Sequence, residues 1–185
     1  MPISETAVSE ALPELEQIED PQLRAQVREV WYTLAAGSAF DDLGSLPVSP
    51  RLAYSHITHN RSVAAMALAV AEILERFHGT AVDRDRLLAG ALLQDASKLV
   101  EYEPDGDGGV RLSALGQHFP HAFYAAHAAL AAGVPQTIAE DVLTHTYEAA
   151  GFPRTLEAKI LFYVDQIDVA ALGGDRWRKT GVIYR

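Results

Sequence analysis

The chain has 185 residues, of which 49% are hydrophobic and 22% are charged, so it can form one compact domain with a sizeable core. Its net charge of −10 argues against nucleic-acid binding, because neutralising phosphates requires a basic surface. The absence of cysteine excludes disulfides, thiolate zinc sites, iron–sulfur clusters and a cysteine nucleophile. Any metal must therefore be held by His, Asp, Glu or neutral oxygen ligands.

The first part of the chain, residues 1–48, predicts a helical extension followed by a connector. Residues 5–18 predict a weak, proline-interrupted helix, and a firmer helix is expected from about 21 to 36 with Asp20 as its N-cap. The stretch 37–50 is rich in Gly, Ser, Pro and Asp, which is typical of a loop. This extension could pack on the rest of the protein, cover the mouth of a site or form a homodimer contact.

The remainder, residues 49–185, predicts a helical bundle that is a single structural unit. Strand signals are nearly absent, whereas Ala and Leu dominate the long periodic stretches. Between turns rich in Gly and Pro, helices are expected over about 51–77, 84–101, 118–132, 136–149 and 155–172. The pattern therefore predicts an all-α fold.

The apolar run Val63–Leu74 is short and interrupted by Glu72, which favours a buried core helix over a membrane span. The N-terminus is acidic and shows no apolar signal sequence, so we expect a cytoplasmic protein without a membrane partner. The locally basic stretch 175–179 predicts a solvated end.

Histidines and inward-facing carboxylates are the chemically informative residues. His56 and His59, like His118 and His121, are spaced by three and share helical faces, so each pair can bind a metal. Two aspartates, Asp95 and Asp165, follow apolar runs and are expected to face inward, where a carboxylate needs a metal or a charged partner. With His145 on a further helix, such residues could converge on one cation inside a bundle.

Several stretches, taken in order, resemble the motifs of the HD-domain superfamily of metal-dependent phosphohydrolases. Residues 59–64 (HNRSVA) resemble its first histidine motif, and residues 92–98 (LLQDASK) resemble the namesake Leu-Leu-His-Asp motif with a lysine three residues later. Residues 121–126 and 145–146 resemble the third and fourth histidine motifs, and residues 155–165 resemble the closing segment with the last aspartate. The order and spacing are most similar to the branch that includes symmetrical dinucleoside-tetraphosphate hydrolases.

This resemblance implies a helical bundle that binds one or two divalent ions of Fe, Mn, Mg, Co or Zn. The aspartate of the signature pair would bridge two metals when both are present. The implied ligands are His59, Asp95, His121, His145 and Asp165.

Gln94 stands where the family has the histidine of its signature pair. An amide oxygen is a poorer ligand than imidazole for iron, zinc or nickel. The site could keep both metals with a preference for harder ions, hold one metal, or bind none. His56, His118 and His127 could compensate as additional ligands, or could be supporting or surface residues.

The resemblance implies a metal-dependent hydrolase acting on a small phosphorylated or nucleotide-like molecule. In this hypothesis Asp95, Lys98 and Gln94 are the catalytic candidates, and Lys98 also meets a substrate phosphate unless it pairs with Asp95 or Glu101. Arg61 and Arg154 are further phosphate-binding candidates. The alternatives are another metal-dependent lyase, hydrolase or iron oxygenase, and a non-catalytic ligand-binding protein.

Overall fold

A computed structural model describes residues 3–147, 149 and 151–173, and the prediction for the basic stretch 175–179 lies outside these residues. The described chain is predominantly helical, which confirms the all-α prediction. The helices are α1 (Glu5–Ala11), α2 (Pro21–Ala36), α3 (His56–His78), α4 (Arg84–Leu93), α5 (Lys98–Glu101), α6 (His121–Ala131), α7 (Gln136–Leu143) and α8 (Leu156–Gly173).

Helix α2 begins where the capping signal predicts. The carboxylate of Asp20 accepts hydrogen bonds from the backbone N–H groups of Gln22 and Leu23, and Pro21 occupies the first helical position. The expected weak helix before it divides at Pro13 into α1 and a 3-10 helix, Pro13–Gln17. Apolar side chains of this N-terminal segment share one buried core with those of the later helices.

Two short antiparallel hairpins were missed by the sequence analysis. Strand β1 (Pro47–Ser49) pairs with β2 (Leu52–Ser55), and β3 (Tyr102–Pro104) pairs with β4 (Val110–Leu112) across the glycine-rich turn. Each strand has only three or four residues, too few to show an alternating pattern.

Three helix boundaries also differ from the prediction. The helix expected from residue 51 begins at His56, where the Ser55 hydroxyl accepts a hydrogen bond from Thr58 N–H. The helix expected from residue 118 begins at His121, directly after Pro120. The helix expected to reach residue 149 ends at Leu143, and the Thr144 hydroxyl donates to the carbonyl of Glu140.

Helix α4 lies at the centre of the bundle and contacts α2, α3, α6, α7 and α8. Every residue from 87 to 99 is buried, which explains the continuously apolar run of this helix. The single helix predicted over 84–101 is wrong in one respect, because residues 94–97 form turns between α4 and α5. Gln94 and Asp95 therefore lie in a buried break in the chain, facing the surrounding helices.

Within the described residues, no helix combines the length and the apolar character that crossing a membrane requires.

Candidate functional site

Asp95 is the centre of the candidate site. Its side chain is buried, and its Oδ1 atom lies 3.4 Å from His121 Nε2 and 3.7 Å from His145 Nε2. One potential ligand atom from each of these three residues lies within 4.8 Å of the other two. The Oδ1 atom has no hydrogen-bond partner among the residues that the structure describes. A buried carboxylate oxygen in this state needs a hydrogen-bond donor or a cation.

Both histidines of this cluster can present a nitrogen lone pair. Burial lowers the pKa of His121 to about 3, so its imidazole is neutral at physiological pH. His145 Nδ1 lies 2.6 Å from the carbonyl oxygen of Val142 and must donate to it, because a carbonyl only accepts. In the neutral ring His145 Nε2 is then left with its lone pair toward Asp95.

His59, the first implied ligand, lies among three carboxylates. Its Nε2 atom is 3.2 Å from Asp95 Oδ2 and 3.2 Å from Asp165 Oδ1, and its Nδ1 atom is 2.7 Å from Asp168 Oδ2. Burial alone would lower the pKa of His59, but the hydrogen bonds to Asp165, Asp168 and Asp95 outweigh it and raise the pKa to about 11. This part of the site therefore requires positive charge, supplied by a proton or by a cation.

Gln94 is fully buried beside His59. Its Nε2 atom is assigned 3.4 Å from His59 Nε2, and its Oε1 atom has no hydrogen-bond partner in the described part of the chain. The two ends of an amide are assigned from their hydrogen bonds, and turning this amide by 180° directs its oxygen toward His59. Gln94 thus borders the position between His59 and Asp165.

Lys98 pairs with Asp95 inside the protein. Its Nζ atom lies 2.7 Å from Asp95 Oδ2, and only 9% of the lysine side chain is exposed. Burial opposes ionisation of Asp95, but Lys98 and the neighbouring histidines hold the pKa of this carboxyl well below its usual range. Asp95 therefore remains ionised, and Lys98 occupies one of its two oxygens.

The other predicted residues lie away from this cluster or contact it only through the backbone. Arg61 pairs with the mostly buried carboxylate of Glu14, and Arg154 pairs with the exposed carboxylate of Glu140. His118 and His127 are exposed. His56 is fully buried, but its Nε2 atom contacts the backbone carbonyl of Asp95 at 2.8 Å rather than a carboxylate of the site.

Asp168 and Ser62 also belong to the site, although the sequence motifs did not predict them. Asp168 is buried, bonds His59 through Oδ2 and accepts a 2.5 Å hydrogen bond from the Ser62 hydroxyl through Oδ1. Helical periodicity predicts that Asp168 lies on the same face as Asp165, because it follows that residue by three positions on an apolar helix. The contact with Ser62 has no comparable signal, since it joins residues 106 positions apart.

One relative with an assigned activity is 31% identical to this chain over 171 aligned residues: the dihydroneopterin 2′,3′-cyclic phosphate phosphodiesterase of Methanocaldococcus jannaschii. The similarity covers 83% of this chain and 65% of the relative, so the chain spans slightly less than two thirds of that protein's length. No protein-family model matches the chain. No solved structure matches it either.

Proposed function

We propose that this protein is a metal-dependent phosphohydrolase of the HD type that cleaves a phosphoester in a small, nucleotide-like molecule. The observation that carries the proposal is the cluster of Asp95, His121 and His145, in which an ionised, buried carboxylate oxygen faces two imidazole nitrogens. The similarity to a phosphodiesterase and the order of the HD-like motifs support the same chemistry.

The residues of this cluster fit a divalent cation. Carboxylate oxygen and neutral imidazole nitrogen are common ligands of Zn, Fe, Mn and Co. Asp95 Oδ1 lacks a hydrogen-bond partner among the described residues, while Lys98 engages Oδ2. The lysine therefore leaves one oxygen of Asp95 directed at the histidines.

A second and weaker cation position lies between His59, Asp165 and Gln94. The imidazole and the carboxylate approach each other there to 3.2 Å. The amide of Gln94 contributes a neutral oxygen where the family has an imidazole, which favours Mg²⁺ or Mn²⁺ over iron or zinc. We assign one firm metal position to the protein and a second that depends on the ion supplied.

A divalent cation held by these residues supplies Lewis-acid chemistry, because it makes water more acidic and neutralises the charge on phosphoryl oxygens. In hydrolysis the water oxygen bonds to phosphorus, and the bond to the leaving oxygen breaks with its electron pair on that oxygen, which belongs to an alcohol in a phosphodiester and to a phosphate in a dinucleoside tetraphosphate. The proton released by water ends on the leaving alcohol, or in solvent when the leaving group is a phosphate. Lys98 Nζ has three N–H donors, so its contact with Asp95 leaves capacity for a phosphate oxygen.

The archaeal relative and the HD-like motifs each indicate a class of substrate. The name of the archaeal relative describes a 2′,3′-cyclic phosphodiester attached to a pterin, whereas the motif order resembles hydrolases of dinucleoside tetraphosphates. Both substrates combine a heteroaromatic ring with a cleavable phosphate. Of the two, the cyclic phosphodiester has the support of similarity across most of the chain.

The test is a hydrolysis assay on metal-free protein supplied separately with Mn²⁺, Co²⁺, Fe²⁺ or Mg²⁺. The substrates are a 2′,3′-cyclic nucleotide, dihydroneopterin 2′,3′-cyclic phosphate and a symmetrical dinucleoside tetraphosphate. We expect metal-dependent hydrolysis that Asp95→Asn abolishes, because this change removes the carboxylate at the centre of the site. Asp107→Asn, in the exposed turn between β3 and β4, is the matched control and should keep full activity.

Hydrolysis that survives in Asp95→Asn would contradict the proposal. Copurified iron with substrate-dependent oxygen consumption would assign the protein to an oxygenase instead.

A further inference from the structure

The polypeptide leaves its α-helical path at the candidate site. In a continuous helix the carbonyl of Leu92 would accept from the N–H of Ala96, four residues later. Here Ala96 N–H donates instead to the carbonyl of Leu93, at 3.1 Å. Leu92 is fully buried, so its displaced carbonyl requires a donor from another part of the chain.

Trp31 supplies that donor from helix α2. Its indole Nε1–H donates to the carbonyl oxygen of Leu92 at 2.9 Å, and the whole side chain is buried. The indole has this one polar group and no acceptor. The N-terminal segment therefore hydrogen-bonds the backbone that carries Gln94 and Asp95.

His56 makes the corresponding contact on the other side of Gln94. Its Nε2 atom lies 2.8 Å from the carbonyl oxygen of Asp95, and it must carry the hydrogen because a carbonyl only accepts. The same carbonyl also accepts from Lys98 N–H at 3.0 Å. The centroids of the His56 and Trp31 rings are 5.8 Å apart, so the two donor side chains lie next to each other in the core.

We propose that Trp31 and His56 are positioning residues for Asp95, a role that rests on the proposed function of the metal cluster. Between them they hold the peptide groups of residues 92–95 in the break between α4 and α5. This backbone conformation directs the Asp95 carboxylate toward His121 and His145. Neither residue touches the potential ligand atoms, so their effect on the site passes through the backbone.

The design of the test separates the hydrogen bonds from general packing. Trp31→Phe removes the N–H and keeps an aromatic ring, and His56→Leu removes the second donor. His56→Gln is the conservative variant, because its amide nitrogen can occupy the place of the imidazole Nε2. Leu34→Ala is the packing control, since Leu34 is buried on the same helix as Trp31.

The first measurement is the Kd for Mn²⁺ and for Co²⁺, determined by calorimetry at a temperature where circular dichroism shows every variant to be folded. We expect Trp31→Phe and His56→Leu to bind each ion about 10- to 100-fold more weakly, as is usual when the support of a metal ligand is lost. His56→Gln should recover most of the affinity. Leu34→Ala should bind as the wild type does, even though it unfolds more easily.

The second measurement needs no metal. Amide hydrogen exchange of residues 93–98 should be faster in metal-free Trp31→Phe than in metal-free Leu34→Ala, because only the first change releases the carbonyl of Leu92.

The outcomes distinguish this proposal from the proposed function. If the wild type binds metal and the folded Trp31→Phe and His56→Leu proteins bind it equally well, the positioning role is overturned and the metal site stands. If Leu34→Ala weakened metal binding as much as these two substitutions do, the positioning role would also be overturned. If the wild type binds no metal, the proposed function fails, and unchanged exchange in residues 93–98 would overturn the positioning role as well.

Discussion

At Gln94 we expect a single side chain to decide how firmly the proposed second cation position is filled. The residue is fully buried next to His59, so its replacement by an imidazole of similar size should be accommodated. We expect Gln94→His to bind a second equivalent of Fe²⁺ or Zn²⁺, because imidazole is the better ligand for these ions. Elemental analysis of protein saturated with metal and then desalted would measure the change.

Gln94→Glu provides the matched comparison, since it adds a charged oxygen ligand without imidazole nitrogen. It should strengthen Mn²⁺ and Mg²⁺ binding more than Zn²⁺ binding. An unchanged metal content in both variants would show that residue 94 does not contribute to a cation position.

Asp168 orients His59 through the ring nitrogen on the far side from Asp95. The 2.7 Å contact with Nδ1 fixes which nitrogen faces the site, and the Ser62 hydroxyl holds the second oxygen of Asp168. We expect Asp168→Ala to weaken metal binding about 10- to 100-fold, because partners of this kind orient ligating histidines. Calorimetric titration with Mn²⁺ would measure the loss.

Ser62→Ala is the graded control for this effect, because it leaves the contact between Asp168 and His59 in place. Its affinity should lie between those of the wild type and Asp168→Ala. Wild-type affinity in Asp168→Ala would remove the orienting role from this residue.

Among the helices, α4 and α7 are joined by a bidentate ion pair between Arg86 and Asp141. Arg86 Nε and Nη2 donate to the two oxygens of Asp141 at 2.6 and 2.9 Å, and the aspartate side chain is almost fully buried. We expect Asp141→Ala to lower the free energy of unfolding by about 2 kcal/mol, because it leaves the guanidinium partly buried without its partner. Urea denaturation would measure this change.

The neighbouring residue Glu140 gives a direct contrast. It pairs with Arg154 at 3.5 Å, and both side chains are largely exposed. Glu140→Ala should therefore cost less than about 1 kcal/mol. Similar losses for the two substitutions would show that burial of the Arg86 pair adds nothing to stability.

The sequence could predict the elements that have local signals. Asp20 and Pro21 mark the start of α2, and the HD-like motifs select histidines and aspartates that the fold brings close together. The break at residues 94–97 has no such signal, because it contains neither glycine nor proline. It is stabilised by Trp31 and His56, and contacts between distant parts of the chain are not visible in local sequence patterns.

Across the whole molecule, two of the buried histidines, His56 and His121, make the folded state sensitive to acid. Burial lowers the pKa of His56 to about 4 and that of His121 to about 3, below the value of 6.5 that applies to an unfolded chain. At these two positions the unfolded chain therefore binds more protons below pH 6.5, whereas His59, with its raised pKa, is protonated in both states at that pH and adds no loss. Stability that is fully present above this pH should be lost progressively as the pH falls toward 4.

Urea denaturation of metal-free protein at pH 7, 5.5 and 4.5 would test this expectation. In His56→Gln the loss of stability over this range should be smaller, because one titrating group has been removed. His118→Gln should keep the wild-type dependence, since His118 is exposed. An identical pH dependence in all three proteins would contradict the contribution assigned to His56.

The placement of Asp95 after the last residue of α4 also has an electrostatic consequence. The peptide dipoles of a helix add up to a partial negative charge at its carboxyl end, and this end of α4 lies in the protein interior rather than in water. The carboxyl end of α4 thus attracts a cation toward Asp95. This attraction does not depend on which side chain occupies position 94, and it offers a physical reason why the proposed cation site would tolerate glutamine there.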